Sequence, residues 1–321
     1  MSAPLRFSVT LLFMWVLYIM MTEAEVVEDS ILNNTIRFIQ KYQNELQALL
    51  LQDEDEFLRF KEYNSKRPMT WMVMFATGEF QDYSHIGEVL DTRYPHLLDI
   101  FYREQPFVSA VGGGTGLTDV RYLYDVAVLE RIFHLPPGGD SNQQGISTVL
   151  EIGGGYGGFA HTFSAAHDVT AYHIVDMAPS LAFQERYLSL LRKKGSSVQV
   201  PFVPISEEST DAVASDLFYS FLAMDEVPED TFLRYVDQYV SHAKRGYILL
   251  AASRVRMFKV FQSVWAVQPT AVMLPPDVGY SNFGATNELG HGISVRIVWD
   301  NSNSNSADVF SSHYTWLQRG N

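Results

Sequence analysis

The stretch Val149-Leu150-Glu151-Ile152-Gly153-Gly154-Gly155-Tyr156-Gly157-Gly158-Phe159 constrains this chain more than any other. A short apolar run enters a glycine-rich turn, and helical periodicity begins directly after it. Glycines allow a sharp turn and a close backbone approach, and the helix that follows presents unpaired N–H groups at its start. From Thr148 onward strands and helices alternate, which predicts an α/β fold with a doubly wound, mainly parallel sheet and helices on both faces. The expected strands are Thr148 to Ile152, Val169 to Val175, Val198 to Val203, Asp216 to Phe221 and Gly246 to Ala251. Helices are expected at Gly157 to Ala166, Ser180 to Lys194, Glu207 to Ala214 and Glu229 to His242, the last running on toward Ala243-Lys244-Arg245-Gly246-Tyr247. Strands near Ala271 to Leu274, Ser294 to Trp299 and Ser311 to Trp316 complete one edge, with Asn301 to Ser306 as a polar hairpin loop.

The segment ahead of this alternation has a different character. Between Ser30 and Asn64 apolar residues recur at mostly helical spacing, which predicts a helical annex. Arg67-Pro68 breaks it, and the aromatic-rich stretch Trp71 to Pro106 reads as a cap of short helices. Gly112 to Gly116 is a glycine loop with no strand before it and no Lys-Ser or Lys-Thr after it, so it reads as a linker or cover and not as a phosphate cradle. Val120 to Phe133 then presents a helical apolar face. The expected organisation is a targeting segment at 1–24, a helical annex at 25–135 and an α/β domain at 136–321.

In Met1 to Ala24, Arg6 precedes an apolar run from Phe7 to Met21, the pattern of a signal peptide or a short signal anchor. The acidic stretch that follows, with Arg6 on the other side, predicts a main body in the secretory lumen or outside the cell, with any membrane association confined to residues 7–21. Asn33-Asn34-Thr35 is a glycosylation sequon, weak support for the same compartment. The net charge of −14, without a basic tract, gives a nucleic acid no electrostatic footprint. A chain without cysteine has no thiol catalysis, thiolate-bound zinc or disulfide.

The glycine pattern alone leaves two ligands open. Gly153, Gly155 and Gly158 satisfy a dinucleotide fingerprint, and Asp176 lies 18 residues past Gly158, where a ribose-binding acid is expected. Glu151 shifts the balance, because a carboxylate there would repel a pyrophosphate but suits a cationic, methionine-type ligand. Glu151, Gly153, Gly155 and Gly157 together form Glu-x-Gly-x-Gly-x-Gly, which resembles the first motif of class I methyltransferases, and Ile174-Val175-Asp176 resembles their second. The resemblance implies S-adenosylmethionine as cofactor. It would be bound by Glu151, Gly153, Gly155, Tyr156, Gly157, Asp176, Met177 and Ser206. In that arrangement Asp176 would hold both ribose hydroxyls, and the Ser206-Glu207 loop would meet the adenine. Tyr156 either lies along the methionine moiety or is an ordinary exposed turn residue.

Residues 115–255, from the EIGGGYGGF turn through HIVDMAPSLAFQERYL to DLFYSFLAMDEVPEDTFLRYVDQYVSHAKRGYILL, resemble the sugar O-methyltransferases related to nodulation and polysaccharide methylation enzymes. That resemblance implies methyl transfer to a hydroxyl of a sugar, glycan or related small polyol. Such a hydroxyl must lose a proton during attack, and Asp225 or Glu226 at the tip of the fourth strand, with His291 in a glycine-flanked loop, are the candidate bases. Asp225 and Glu226 serve equally well as capping acids, and His161 and His242 read as structural. No metal is predicted, since no compact ligand spacing stands out. A nicotinamide-dependent oxidoreductase and a catalytically silent nucleoside-binding module are the competing readings.

Overall fold

The computed structural model describes residues 44, 46–54, 57, 89–110, 117–136, 145–252, 254–274 and 293–302. The targeting segment, the Asn33 sequon, the glycine loop, His291 and the strand expected at Ser311 to Trp316 all lie outside the described residues. Among the described residues, helical backbone at 46–50 and 89–93 comes before two longer helices ahead of the sheet, α1 (Pro95–Ala110) and α2 (Leu117–Phe133). They are followed by β1 (Thr148–Ile152), α3 (Gly158–Ala166), β2 (Ala171–Asp176), α4 (Ala178–Lys194), β3 (Phe202–Ser206) and β4 (Ser215–Phe221). The chain continues through a four-residue turn of helix α5 (Ala223–Glu226), α6 (Glu229–Gln238), β5 (Ala243–Ala252), α7 (Arg254–Val267), β6 (Val272–Leu274) and β7 (Ile293–Asp300).

Among the described residues the strands form one seven-stranded sheet in the order β3-β2-β1-β4-β5-β7-β6. β1 to β5 run parallel, and β7 inserts antiparallel between β5 and β6. The order reverses direction between β1 and β4, and it is beyond the strand ends at such a switch point that open α/β sheets bind their ligands. Alternate residues on each strand feed two cores. Val149, Tyr172, Ile174, Leu217, Tyr219 and Tyr247 join the core beneath α1 to α4, whereas Leu150, Ile152, Val175, Phe218, Ile248 and Trp299 join the one beneath α6 and α7.

Three sequence expectations are corrected. The helix expected at Glu207 to Ala214 does not form: a turn at residues 207–208 leads into irregular backbone. Serine hydroxyls compete for the backbone there, Ser206 Oγ accepting from the Glu208 N–H and Ser209 Oγ from the Asp211 N–H. β3 lies at Phe202–Ser206 and not at Val198 to Val203. Ahead of it Ser196 Oγ accepts from the Val198 N–H, holding that segment off the sheet, and Pro204 is tolerated because β3 is an edge strand. The helix ahead of β5 ends at Gln238, a single 3₁₀ turn covers Val240–His242, and Ala243 already pairs with Ser215 as the first residue of β5.

Candidate active site

The glycine turn sits at the carboxyl end of β1. Gly153, Gly155 and Gly157 have φ of 74°, 56° and 89°, left-handed values that a side chain rarely adopts. At Gly153 a Cβ would also lie 2.5 Å from the Cβ of Ala223, so glycine is what lets the turn pass close beneath the tip of β4. A Cβ on Gly155 would meet only the Tyr122 hydroxyl, at 3.8 Å. The turn is fixed by the Gly157 N–H donating to the Gly154 carbonyl (2.8 Å) and the Gly153 N–H donating to the Val175 carbonyl (3.0 Å), which ties it to the end of β2.

Glu151 is buried with its carboxylate accepting the Tyr172 hydroxyl at 2.9 Å. Burial pushes this carboxyl up to about 8; the Tyr172 bond pulls the other way, and the charge of Asp176 adds to the rise. Asp176, at the end of the neighbouring strand, accepts from the Met177 N–H at 2.8 Å and from the Gln184 side-chain amide at 2.9 Å. Burial raises it to about 6 against those bonds. Two carboxyls thus stand near the ends of adjacent strands in surroundings that disfavour their charge. A cation arriving at Glu151 would return it to the ionised form, the condition a sulfonium with an ammonium group satisfies, and hydroxyls donating to Asp176 would favour its carboxylate. The residues present therefore fit S-adenosylmethionine: the left-handed glycines leave backbone space, and the acids supply the charge.

The other expected site residues are distributed as follows. Met177 is the N-cap of α4, with extended backbone, and packs partly buried against the core beneath the annex. Ser206 pairs with Asp176 across β2 and β3, so it does reach the same strand-end edge, but its hydroxyl serves the Glu208 turn. Tyr156 is 2% exposed, packed edge-on to Tyr122 and Tyr187 at 5.7 and 5.1 Å, so it is not an exposed turn residue. Asp225 and Glu226 fall within α5, immediately after β4 and at the same end of the sheet as Glu151. His161 is buried beside Ser196 and Glu104, and His242 closes the 3₁₀ turn.

Several participants escape a reading by motif. Gln184 donates both to the Gly155 carbonyl (3.0 Å) and to Asp176, linking the glycine turn to the acid. Its signal is a polar side chain on the apolar face of α4, three residues from both Leu181 and Tyr187. Tyr172 lies two residues before Ile174 on the Glu151 side of the sheet. From the annex, Arg121 and Asp125 form an i, i+4 pair at 3.7 Å, and Asp125 accepts the Tyr219 hydroxyl at 3.1 Å. This buried pair brings charge from α2 to the ends of β1 and β4.

No protein-family model matches the sequence, and no curated protein matches it. Among solved structures the chain is similar to magnesium protoporphyrin IX methyltransferase from Synechocystis PCC 6803, at 9% identity over 68% of this chain and 98% of that one, with a TM-score of 0.38. It is similar to an O-methyltransferase family protein from Burkholderia thailandensis, at 10% identity over 69% of this chain and 71% of that one, with a TM-score of 0.39. The methyltransferase domain of bacterial CtHen1 is 12% identical over 56% of this chain and 97% of that domain, with a TM-score of 0.40. The strand order, mainly parallel with an antiparallel β7, is that of a doubly wound, Rossmann-like α/β sheet.

Proposed function

We propose that this protein is an S-adenosylmethionine-dependent O-methyltransferase acting on a hydroxyl of a sugar, glycan or related small polyol, a small-molecule or glycan acceptor and not a nucleic acid. The observation that carries the cofactor is the placement of buried Glu151 near the end of β1 and of Asp176 at the end of the adjacent parallel strand β2, beside a left-handed glycine turn. A nicotinamide dinucleotide would set its pyrophosphate against Glu151, which favours the sulfonium over the oxidoreductase reading. When bound, S-adenosylmethionine supplies an electrophilic methyl group. The chain's own residues then have three tasks. Glu151 receives the ammonium, Asp176 holds the ribose hydroxyls with Gln184 fixing its carboxylate, and the turn presents backbone N–H groups at the start of α3. Holding the acceptor in line accounts for most of the acceleration, and Asp225, Glu226 or His291 takes the hydroxyl proton. Residues 1–24 support a place in the secretory lumen or outside the cell.

Calorimetric titration of the purified full chain with S-adenosylhomocysteine and, separately, NAD tests this reading. Saturable binding of the former alone is expected. Asp176→Ala should weaken it at least ~10-fold, the worth of a charge-assisted hydrogen bond, while circular dichroism stays native. Binding of NAD alone, or a folded variant with unchanged affinity, would overturn the placement.

A further inference from the structure

A recess of about 600 Å³ opens between the start of α1 and the end of α2, with Arg93, Tyr94, His96, Glu130, Arg131 and His134 in its lining. It lies at the opposite end of the sheet from the candidate site. Tyr122, early in α2, stands against Gly155 and Gly158 at the carboxyl end of β1. Eight residues further along the helix, about 12 Å at the helical rise, Glu130 meets His167. His167 closes α3 four residues before Ala171, which pairs with Thr148 at the amino end of β1. A ligand held in the recess therefore stays clear of the glycine turn.

The charges of this recess are sorted by depth. Glu130, the one acid among its described lining residues, is buried in the floor, where the His96 Nε2–H donates to it at 3.0 Å and His167 stands at 3.4 Å. Arg93, Arg131 and His134 are exposed at the rim. A chain of net charge −14 thus carries a recess whose open side is cationic. A guanidinium has five N–H donors, so Arg93 and Arg131 can each turn an edge to an oxyanion while keeping the interactions they make within the protein. The helix α1 begins at Pro95 with no acid in its first turn, so the positive end of its dipole adds to the same field.

His134 is held at the rim at a conformational cost. It follows the last residue of α2 with φ of 51°, and the Leu135 N–H returns to the Glu130 carbonyl at 2.9 Å, a helix closure in which glycine is the usual residue. Glycine would end the helix with less strain, whereas an imidazole there adds a polar group to the recess. A bare tetrahedral oxyanion would fill a small part of the volume, and the half-buried ring of Tyr94 gives the rest a wall for an organic group.

We propose that this recess is a second binding site, for a small organic phosphate or sulfate monoester, with the oxyanion held by Arg93, Arg131 and His134 and the organic part against Tyr94. The inference is independent of the S-adenosylmethionine reading above and stands or falls separately from it.

The test is calorimetric titration of the full-length protein, at fixed pH and ionic strength, with glucose 6-phosphate, glucose 6-sulfate and glucose. The wild type should bind at least one monoester saturably and ~10-fold or more tighter than glucose, the range of charge-assisted hydrogen bonds, and the one it prefers identifies the ester. Arg131→Gln, at an exposed helix position that glutamine suits, should weaken that monoester ~10-fold or more, and Arg93→Gln should do the same. His134→Gly separates binding from structure. It should weaken the monoester ~5-fold, the worth of one hydrogen bond, while the midpoint of thermal unfolding does not fall, since glycine suits the left-handed backbone. A wild type that binds neither monoester, or binds glucose as tightly, would overturn the inference. So would wild-type affinity in both arginine variants, because the monoester would then sit elsewhere. Should one arginine variant fail to fold, the other and His134→Gly decide.

Discussion

The face of the sheet covered by α1 to α4 buries Glu104, Arg121, Asp125, Glu130, Glu151, His161 and His167, whereas the core beneath α6 and α7 is built from Phe218, Tyr239, Ile248, Val260, Ile297 and Trp299. Polar side chains at the margin of the second core close backbone ends. Arg256 donates to the Val227 carbonyl and Gln268 to the carbonyls of Val240 and Ala243. On the first face the buried groups pair with one another instead. Glu130 sits between His96 at 3.0 Å and His167 at 3.4 Å, and Glu104 lies between Ser196 and His161. Buried charge is costly unless paired, so a fold concentrates it where chemistry or specificity requires it. The apolar face supplies stability; the annex face holds the candidate site.

The strongest way to test that division is to damage the apolar face and ask whether the site notices. Gly246 pairs with Trp299 across β5 and β7, and a Cβ on Gly246 would lie 2.0 Å from the indole. Trp299 cannot yield easily, being fully buried against Phe218 with its N–H on the Ala243 carbonyl. Gly246→Ala should cost about 3 kcal/mol or more in urea unfolding, at the upper end of overpacking effects. The remaining folded protein should bind S-adenosylhomocysteine as the wild type does. A loss below about 1 kcal/mol, or a binding defect in the folded fraction, would break the comparison.

The annex face should reveal itself through pH. Because Glu151 titrates near 8 in the folded protein and near 4.5 when unfolded, the folded state keeps a proton that the unfolded state has released. Stability from this group is therefore full below about pH 4.5 and falls as the pH rises toward 8. Between pH 6 and 8 the ligand-free protein should lose about 2 kcal/mol through Glu151, and Glu151→Gln should flatten that limb. Parallel profiles for the two proteins would show that Glu151 is not held as its surroundings require.

Neither face was fully legible in the sequence. β1, the glycine turn and Asp176 were legible because strand period, glycine and a strand-end acid are local signals. The helix at Arg254–Val267 carries no such punctuation and was not anticipated, although its Met257, Val260 and Val264 follow helical spacing. Position along β3 depended on serine side chains competing for the backbone, which periodicity does not register. Arg121 and Gln184 were illegible for another reason. Each is an ordinary polar residue on a helix, and only the packing of α2 and α4 onto the sheet turns it toward Glu151 and Asp176.

The smallest expected effect concerns how the annex is fastened. Glu104 on α1 accepts the Ser196 hydroxyl at 2.6 Å and lies 3.5 Å from His161 on α3, joining three segments around one carboxylate. Burial raises its carboxyl, but the bonds from His161, Ser196 and Arg103 win and hold it at about 2. An acid lowered in the folded state stabilises above its unfolded value near 4.5, and that contribution fades as the pH falls toward 2. Glu104→Gln keeps an oxygen for Ser196 but loses the charge, so it should cost about 1 kcal/mol at pH 7, the difference between a charge-assisted and a neutral hydrogen bond. The gap from wild type should close as the pH falls toward 2, because there the wild-type carboxyl is itself neutral. A gap that persisted unchanged into acid would mean that packing and not charge fastens the annex, and the contrast between the two faces would then be one of composition alone.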